Sequence, residues 1–560
     1  MIMTSTGMFD SGGGAPHVRG SPGEWHGSEG IRMAADTPVL VVGAGPTGLL
    51  LAAELQRRGV GCRLIDAEPG PMHWDRATVV HPRSLEVFES LGILRPFLAA
   101  GVKQRAARLL SQGSLLGEID LSTCGSRHGY NLGLSEEVTE SILTDYLRQQ
   151  GGEVIRSHRL VTLEHHPEGV IAGIDCDGSR EEVPFQWVVG CDGLHSITRQ
   201  LAGIGLAGHD IPEPWAVFDA TATGWPEAFD VNYAYLDEIP VIMTALPNRR
   251  WRVYLRPSSP ESDLVVDAAS TIRRYHRGVA LTDISNPNRF HCHTKVATQF
   301  KSGPILLAGD AAHVCSPSQG HGMNSGVQDA FNLAWKLALV CRGHCSSKLL
   351  ESYEAERRPV AEMITLSGDE AERAHTLTDP AERRARDKML RSVFADPATR
   401  HQEVIAEAEL DIDYRDSPIV MGDTNEALNP GQPLPGTIQV QLASGEVGLL
   451  HDLTHHTGHT TLLIGGSSAH HEDLARLNTS VRSAAHPSLM GATIVATTQV
   501  DGHQGWARLD LDAADRLGVS GVTLLAVRPD GYIGLRADRD HLEALATYQP
   551  MLGSRHSSAL

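Results

Sequence analysis

The sequence predicts a mixed α/β and α+β protein of more than one domain, and three observations carry that prediction. Residues 37–66 read as strand, turn, helix and strand, the order of a parallel βαβ crossover. Residues 210–300 hold several short strand-like pieces, the habit of an antiparallel sheet. Residues 436–547 form a second, smaller α/β pattern after a proline-rich connector.

Residues 37–42 are mostly branched and apolar, which suits a buried strand. Residues 47–58 have helical apolar spacing, and Gly59 and Gly61 end the helix. Residues 62–65 resume a strand that stops at Asp66. Residues 84–150 read as mainly helical with one or two strands, and 153–190 as strands and turns. Residues 231–236, 241–246 and 251–255 are strand candidates of a separate substrate layer. A buried strand is expected at 305–308 and a long helix at 324–340. The last strand candidates are 437–441, 460–465, 492–497 and 522–527.

The domains follow from these elements. Residues 1–36, rich in Gly, Ser and Pro, read as a disordered tail. A nucleotide-type domain takes 37–209 and resumes at 301–375, with 210–300 inserted. A helical connector spans 376–435, and a C-terminal domain spans 436–560.

The 560 residues carry 48 basic and 68 acidic side chains, a formal net charge of −20. That balance argues against nucleic acid and against stable association with an anionic membrane, since both select basic surfaces. A cytoplasmic location is expected, because no secretory signal is visible. The eight Cys contain no CxxC pair, so neither a dithiol centre nor a zinc ribbon is indicated. No metal site is expected. His451, His455 and His459 have helical spacing, but Gly458 and the nearby Thr residues favour a solvated loop.

Gly43-Ala44-Gly45-Pro46-Thr47-Gly48 is a GxGxxG placed between a strand and a helix. Gly43 permits a tight turn, Gly45 lets backbone approach a pyrophosphate, and Gly48 lets helix pack on strand. Pro46 lies in this turn, and the helix that follows offers free N–H groups that suit an anion. Asp66, 18 residues beyond Gly48, stands where an acid would accept hydrogen bonds from a ribose diol. Together these features predict a Rossmann-like dinucleotide-binding domain.

Two further clusters carry a family resemblance. Residues 189–199 hold the Asp-Gly pair Asp192-Gly193, and residues 307–313 hold Gly309-Asp310. The second cluster runs on through Pro317 to Gly320-His321-Gly322-Met323-Asn324 and Asp329, and 349–359 adds Tyr353 to Pro359. In this order the motifs resemble those of class A FAD-dependent aromatic monooxygenases, the family of para-hydroxybenzoate hydroxylase, phenol hydroxylase and the aromatic polyketide hydroxylases. The resemblance covers about residues 37–365.

The resemblance implies an FAD-binding domain with an inserted substrate domain. Residues 436–547, chiefly 528–536, resemble that family's thioredoxin-like appendage. It also implies roles. Asp310 would bind the ribityl chain, Asp192 and Gly193 would lie near the pyrophosphate, and Arg76 would contact FAD phosphate and help admit NADPH or NADH. Pro317 would lie beside the flavin ring, and Gly320, Gly322, Met323 and Asn324 would present backbone N–H groups to its edge. Glu136 stands where the family often has a flavin-contacting Gln, and Gln319-Gly320-His321 replaces the family's Gly-Gly-Gln. His321 and Pro317 are the catalytic candidates. His73, Tyr233, Tyr235 and Arg252 lie in or near substrate-side segments and are the candidates for substrate contact.

The implied reaction uses NAD(P)H and O2 to hydroxylate a phenolic or polycyclic aromatic compound through a flavin C4a-hydroperoxide. Baeyer–Villiger oxygenation is the alternative within the same chemistry, and a non-catalytic flavin- or ligand-binding protein is the alternative of another class. Halogenases of this superfamily carry Trp-x-Trp, which this chain lacks. A homodimer is compatible with the sequence.

Overall fold

The computed structural model describes residues 37–71, 77–498 and 505–553. The tail at 1–36 and the candidates His73 and Arg76 lie outside the described residues. The helices that place the site are α1 (Pro46–Arg57), α2 (Pro82–Ser90), α3 (Glu136–Gln149), α4 (Leu264–Tyr275), α5 (His321–Cys341), α6 (Glu351–His375), α7 (Pro380–Ala395) and α8 (Pro397–Glu407).

The first layer is a six-stranded sheet, in the order 301–302, 305–307, 187–190, 39–42, 62–65 and 154–155. Val39–Val42 pairs in parallel with strands on both sides, and all four of its residues are buried. A continuous apolar run is what a strand covered on both faces requires. Helix α1 packs on this sheet through Leu49, Leu50, Leu51 and Leu55, each fully buried. Burial of each such Leu contributes about 1.5–3 kcal/mol.

The second layer is a seven-stranded sheet in the order 280–290, 215–223, 250–255, 241–246, 231–235, 106–111 and 114–120. Its pairings are antiparallel except one: 231–235 runs parallel to 106–111. The sheet therefore recruits strands from a segment that reads as mainly helical in sequence. That segment holds four strands, at 102–104, 106–111, 114–120 and 131–133. The leucine doublets Leu109-Leu110 and Leu115-Leu116 hide the two-residue period, whereas Gln112-Gly113, both at positive φ, is a hairpin turn.

Helix α4 covers one face of this sheet, packed on Tyr233, Tyr235, Trp251, Val253 and Leu255. Helices α7 and α8 supply the connector. The ring of Phe394 sits against Gly117, where an added Cβ would fall 2.1 Å from it.

The C-terminal unit is an eight-stranded sheet with 459–465 and 522–527 at its centre. It is joined to the rest by buried charge. Arg528 donates to both oxygens of Glu356 on α6, at 2.7 and 2.8 Å, and Lys336 on α5 donates to Glu356 at 2.7 Å. All three side chains are fully buried. Two of the three histidines expected in a solvated loop are instead buried. His451 opens a short 3-10 turn, 4% exposed, and His459 begins the central strand, 0% exposed. Pairing of 459–465 with strands on both sides overrides the local Thr and Gly content.

Candidate active site

The three glycines of the first turn act at different contacts. Gly43 sits at φ 98°, and an added Cβ would meet the Cys191 carbonyl oxygen at 2.3 Å. At Gly48 an added Cβ would lie 2.0 Å from the Gly43 oxygen, so the turn closes only without a side chain. Beside Gly45 the nearest atom is 3.9 Å away, and Gly45, Pro46 and Thr47 line a cavity. Helix α1 has no side-chain cap, so its first N–H groups are open to that cavity.

The second segment arrives at the same place. Thr47 Oγ1 lies 2.6 Å from the Cβ position of Gly309 and 2.3 Å from that of Gly326, so those glycines let α1 meet α5. Asp310 is exposed and lines the cavity, as do Pro317, Gly320, His321, Gly322 and Met323. Gly320 is left-handed (φ 74°) and gives α5 no side-chain cap. Two uncapped helix starts thus face one cavity of about 810 Å3. That is within the range of roughly 300–1,000 Å3 for small-molecule sites.

A buried carboxylate fixes the second segment. Asp329 accepts from Gly309 N (3.0 Å), His313 Nε2 (2.7 Å) and Arg357 Nε (2.6 Å). Burial opposes its charge, but His313 and Arg357 outweigh burial and hold it well below the ordinary carboxylate range. Glu372 on α6 accepts from Ser316 and Ser318 hydroxyls, both at 2.8 Å, and so pins the loop carrying Pro317. Burial pushes the thiol of the neighbouring Cys315 up to about 12, with Asp310 and Glu409 adding to it, so it is no nucleophile at neutral pH.

Not every expected residue reaches the cavity. Asp66 is half-buried and accepts from Ala44 N (2.7 Å) and Glu68 N (2.8 Å), so it braces the glycine turn. Asp192 accepts from Ser196 Oγ (2.5 Å) and from the N and Oγ1 of Thr198 (2.9 Å each), while Gly193 lines the cavity. Asn324 is fully buried and ties α5 to the 79–81 strand end, accepting from His81 N and donating to Val79 O, each 2.9 Å. Its side chain is therefore a strut. Glu136, the first residue of α3, lines the cavity and accepts from Ala77 N at 3.4 Å.

The substrate candidates need correction. Tyr233 borders the cavity, but its ring packs 5.1 Å from Trp225 and its hydroxyl donates to Glu227 at 3.0 Å. Tyr235 is fully buried, with its hydroxyl 3.1 Å from His276 Nε2. Both project towards α4. Strand alternation turns Asn232 and Ala234 to the cavity instead. Arg252 is 2% exposed, paired to Asp219 at 2.7 and 3.0 Å.

Sequence reasoning missed Thr78, Thr244 and Tyr254. All three line the cavity, with Thr78 Oγ1 3.0 Å from the Tyr254 hydroxyl and 3.3 Å from Thr244 Oγ1. Tyr254, two positions from Arg252, carried the only available signal, an aromatic in an alternating strand.

Comparison with known proteins agrees with this geometry. A family profile described as an FAD binding domain matches residues 36–367. The 6-methylpretetramide 4-monooxygenase of Streptomyces rimosus is 31% identical over 527 residues, 90% of this chain and 92% of the relative. Pentachlorophenol 4-monooxygenase of Sphingobium chlorophenolicum is 31% identical over 342 residues, 59% of this chain and 64% of the relative. Among solved structures, the anhydrotetracycline hydroxylase OxyS from Streptomyces rimosus aligns with a TM-score of 0.68 at 26% identity, covering 91% of this chain and 98% of its own. Aklavinone-11 hydroxylase, solved with FAD and aklavinone, shares the fold (TM-score 0.72, 23% identity, 93% and 99% covered). The chain belongs to the FAD-dependent aromatic monooxygenases. Its residues fit that cofactor: a turn that only glycine can close, two uncapped helix starts, and one cavity between them.

Proposed function

We infer that this enzyme hydroxylates a phenolic or polycyclic aromatic compound of polyketide type, with NAD(P)H as transient reductant and O2 as oxidant. The observation that carries the reading is one shared cavity. The glycine turn and the 310–323 segment line one part, and the seven-stranded sheet with α7 and α8 lines the other. A relative of nearly the same length acts, by its name, on 6-methylpretetramide.

Bound FAD would supply electron transfer and oxygen activation. The chain supplies position and dryness. The N–H groups at the start of α1 would hold phosphate, and Asp310 would hold the ribityl chain. Asp66 and Asp192 would act through the turns they brace. Leu109, Ile242, Leu390, Val393 and Phe394 form an apolar wall that keeps water from the reacting centre. The linked hydroxyls of Thr78, Thr244 and Tyr254 would orient a phenolic oxygen by exchanging hydrogen bonds with it.

The test is purified holoenzyme with a panel of simple phenols and fused-ring phenolic polyketides, assayed for NAD(P)H oxidation and for 18O transfer from 18O2. Stimulated oxidation with label in the product is expected. A flavin-loaded protein that labels no aromatic compound would refute the reading. Asp310→Ala is expected to lower FAD retention; full flavin occupancy would remove its assigned role.

A further inference from the structure

Three buried titratable side chains from distant parts of the chain meet at the start of α5. His81 is the N-cap residue of α2, His321 is the first residue of α5, and Glu409 follows α8. They are 0%, 6% and 3% exposed, and one ligand-type atom of each lies within 4.8 Å of the others. His321 and Glu409 line the cavity.

The hydrogen bonds assign the protons. Asn131 Nδ2 donates to Glu407 at 3.2 Å, so Asn131 Oδ1 accepts from His81 Nδ1–H at 3.1 Å. This leaves His81 Nε2 buried, without a hydrogen-bond partner among the described residues, and 3.4 Å from the Cβ position of Gly320. His321 Nδ1–H donates to Glu409 Oε1 at 2.8 Å. The second oxygen of Glu409 accepts from Gln328 Nε2 at 2.5 Å. Glu409 is therefore held from both sides, with its backbone in the left-handed region.

Burial opposes a charge on His321, but the bond to Glu409 and the fields of Glu409, Glu407 and Asp411 outweigh burial and raise its affinity for a proton. The titratable groups around it are those three acids from the connector and His81 from α2. A cation at the first position of α5 adds to the partial positive charge of that helix start.

We propose that Glu409 holds His321 as a cation at the start of α5, and that this charge stabilises the reduced, anionic flavin. The proposal rests on FAD seating against that helix start. Glu409 is a positioning residue, acting through His321. It makes the chain segment after α8 part of the flavin site.

The experiment is a reductive titration of bound FAD against a reference dye, at saturating FAD, across pH 6–9. It compares the wild-type holoenzyme with His321→Gln and Glu409→Gln. Loss of the charge in His321→Gln is expected to shift the reduction equilibrium about tenfold towards oxidised flavin, about 30 mV for a two-electron couple. In the wild type the potential is expected to show a break as His321 loses its proton, and Glu409→Gln is expected to move that break to lower pH. Superimposable wild-type and Glu409→Gln profiles would overturn the proposal, as would a flavin-loaded His321→Gln with the wild-type potential. A wild-type protein that takes up no FAD would overturn the cofactor seating instead.

Discussion

Replacing Asp329 by Asn tests whether one buried carboxylate organises the second flavin segment. The side chain is fully buried and accepts from Gly309 N, His313 Nε2 and Arg357 Nε. Asn keeps the shape and can still accept from Gly309, so the change isolates the charge. Arg357 is itself fully buried, and its remaining partners are the Tyr414 hydroxyl (3.0 Å) and Ser325 (3.0 Å to Oγ). Neither carries a negative charge at neutral pH, so the guanidinium is left uncompensated. Breaking a buried pair in this way costs about 3–5 kcal/mol. At roughly 2–4 °C per kcal/mol for a large domain, the melting temperature should fall on the order of 10 °C. Thermal unfolding followed by circular dichroism, with and without added FAD, measures this. The stabilisation conferred by FAD should also shrink, because the neutral side chain no longer holds His313 and Arg357 by charge beside the turn ahead of Asp310. A variant melting within about 2 °C of the wild type, an effect below roughly 1 kcal/mol, would refute the argument.

Gly48→Ala puts a Cβ 2.0 Å from the Gly43 oxygen and should cost about 1–3 kcal/mol while abolishing FAD retention; flavin content after gel filtration reads it, and normal occupancy would contradict the turn geometry. Tyr254→Phe removes the hydroxyl 3.0 Å from Thr78, and should leave FAD binding unchanged while weakening turnover of phenolic substrates about two- to tenfold. His459 is fully buried, with neither ring nitrogen hydrogen-bonded among the described residues, and burial, reinforced by Arg528, lowers its value to about 3. The unfolded chain binds that proton near pH 6.5 and the folded chain does not, so stability should fall as pH drops from 6.5 towards 3, by up to about 1.4 kcal/mol per pH unit. His459→Phe should flatten that acid limb in urea titrations run at several pH values.

Local chain geometry was legible in the sequence because it depends on residues close together. The strand at 39–42, the glycine turn, helix α1 and the acid at Asp66 follow from steric rules acting over some thirty residues. The same holds for the 309–324 segment, where Gly309 and Gly320 mark left-handed positions. Both segments line one cavity. Side-chain direction was less legible. Tyr233 and Tyr235 drew attention as aromatics, yet strand period places Asn232 and Ala234 on the cavity side. A register of one residue decides this, and only pairing with 241–246 and 106–111 sets it.

By itself the sequence predicted a helix start behind each glycine turn, since glycine placement is a local property. Only the tertiary structure decided what charges those ends. His321 meets Glu409 across 88 residues, and Glu356 meets Arg528 across 172. Burying a charge is tolerated only when a partner arrives with it, and no local pattern records which distant residue that partner will be.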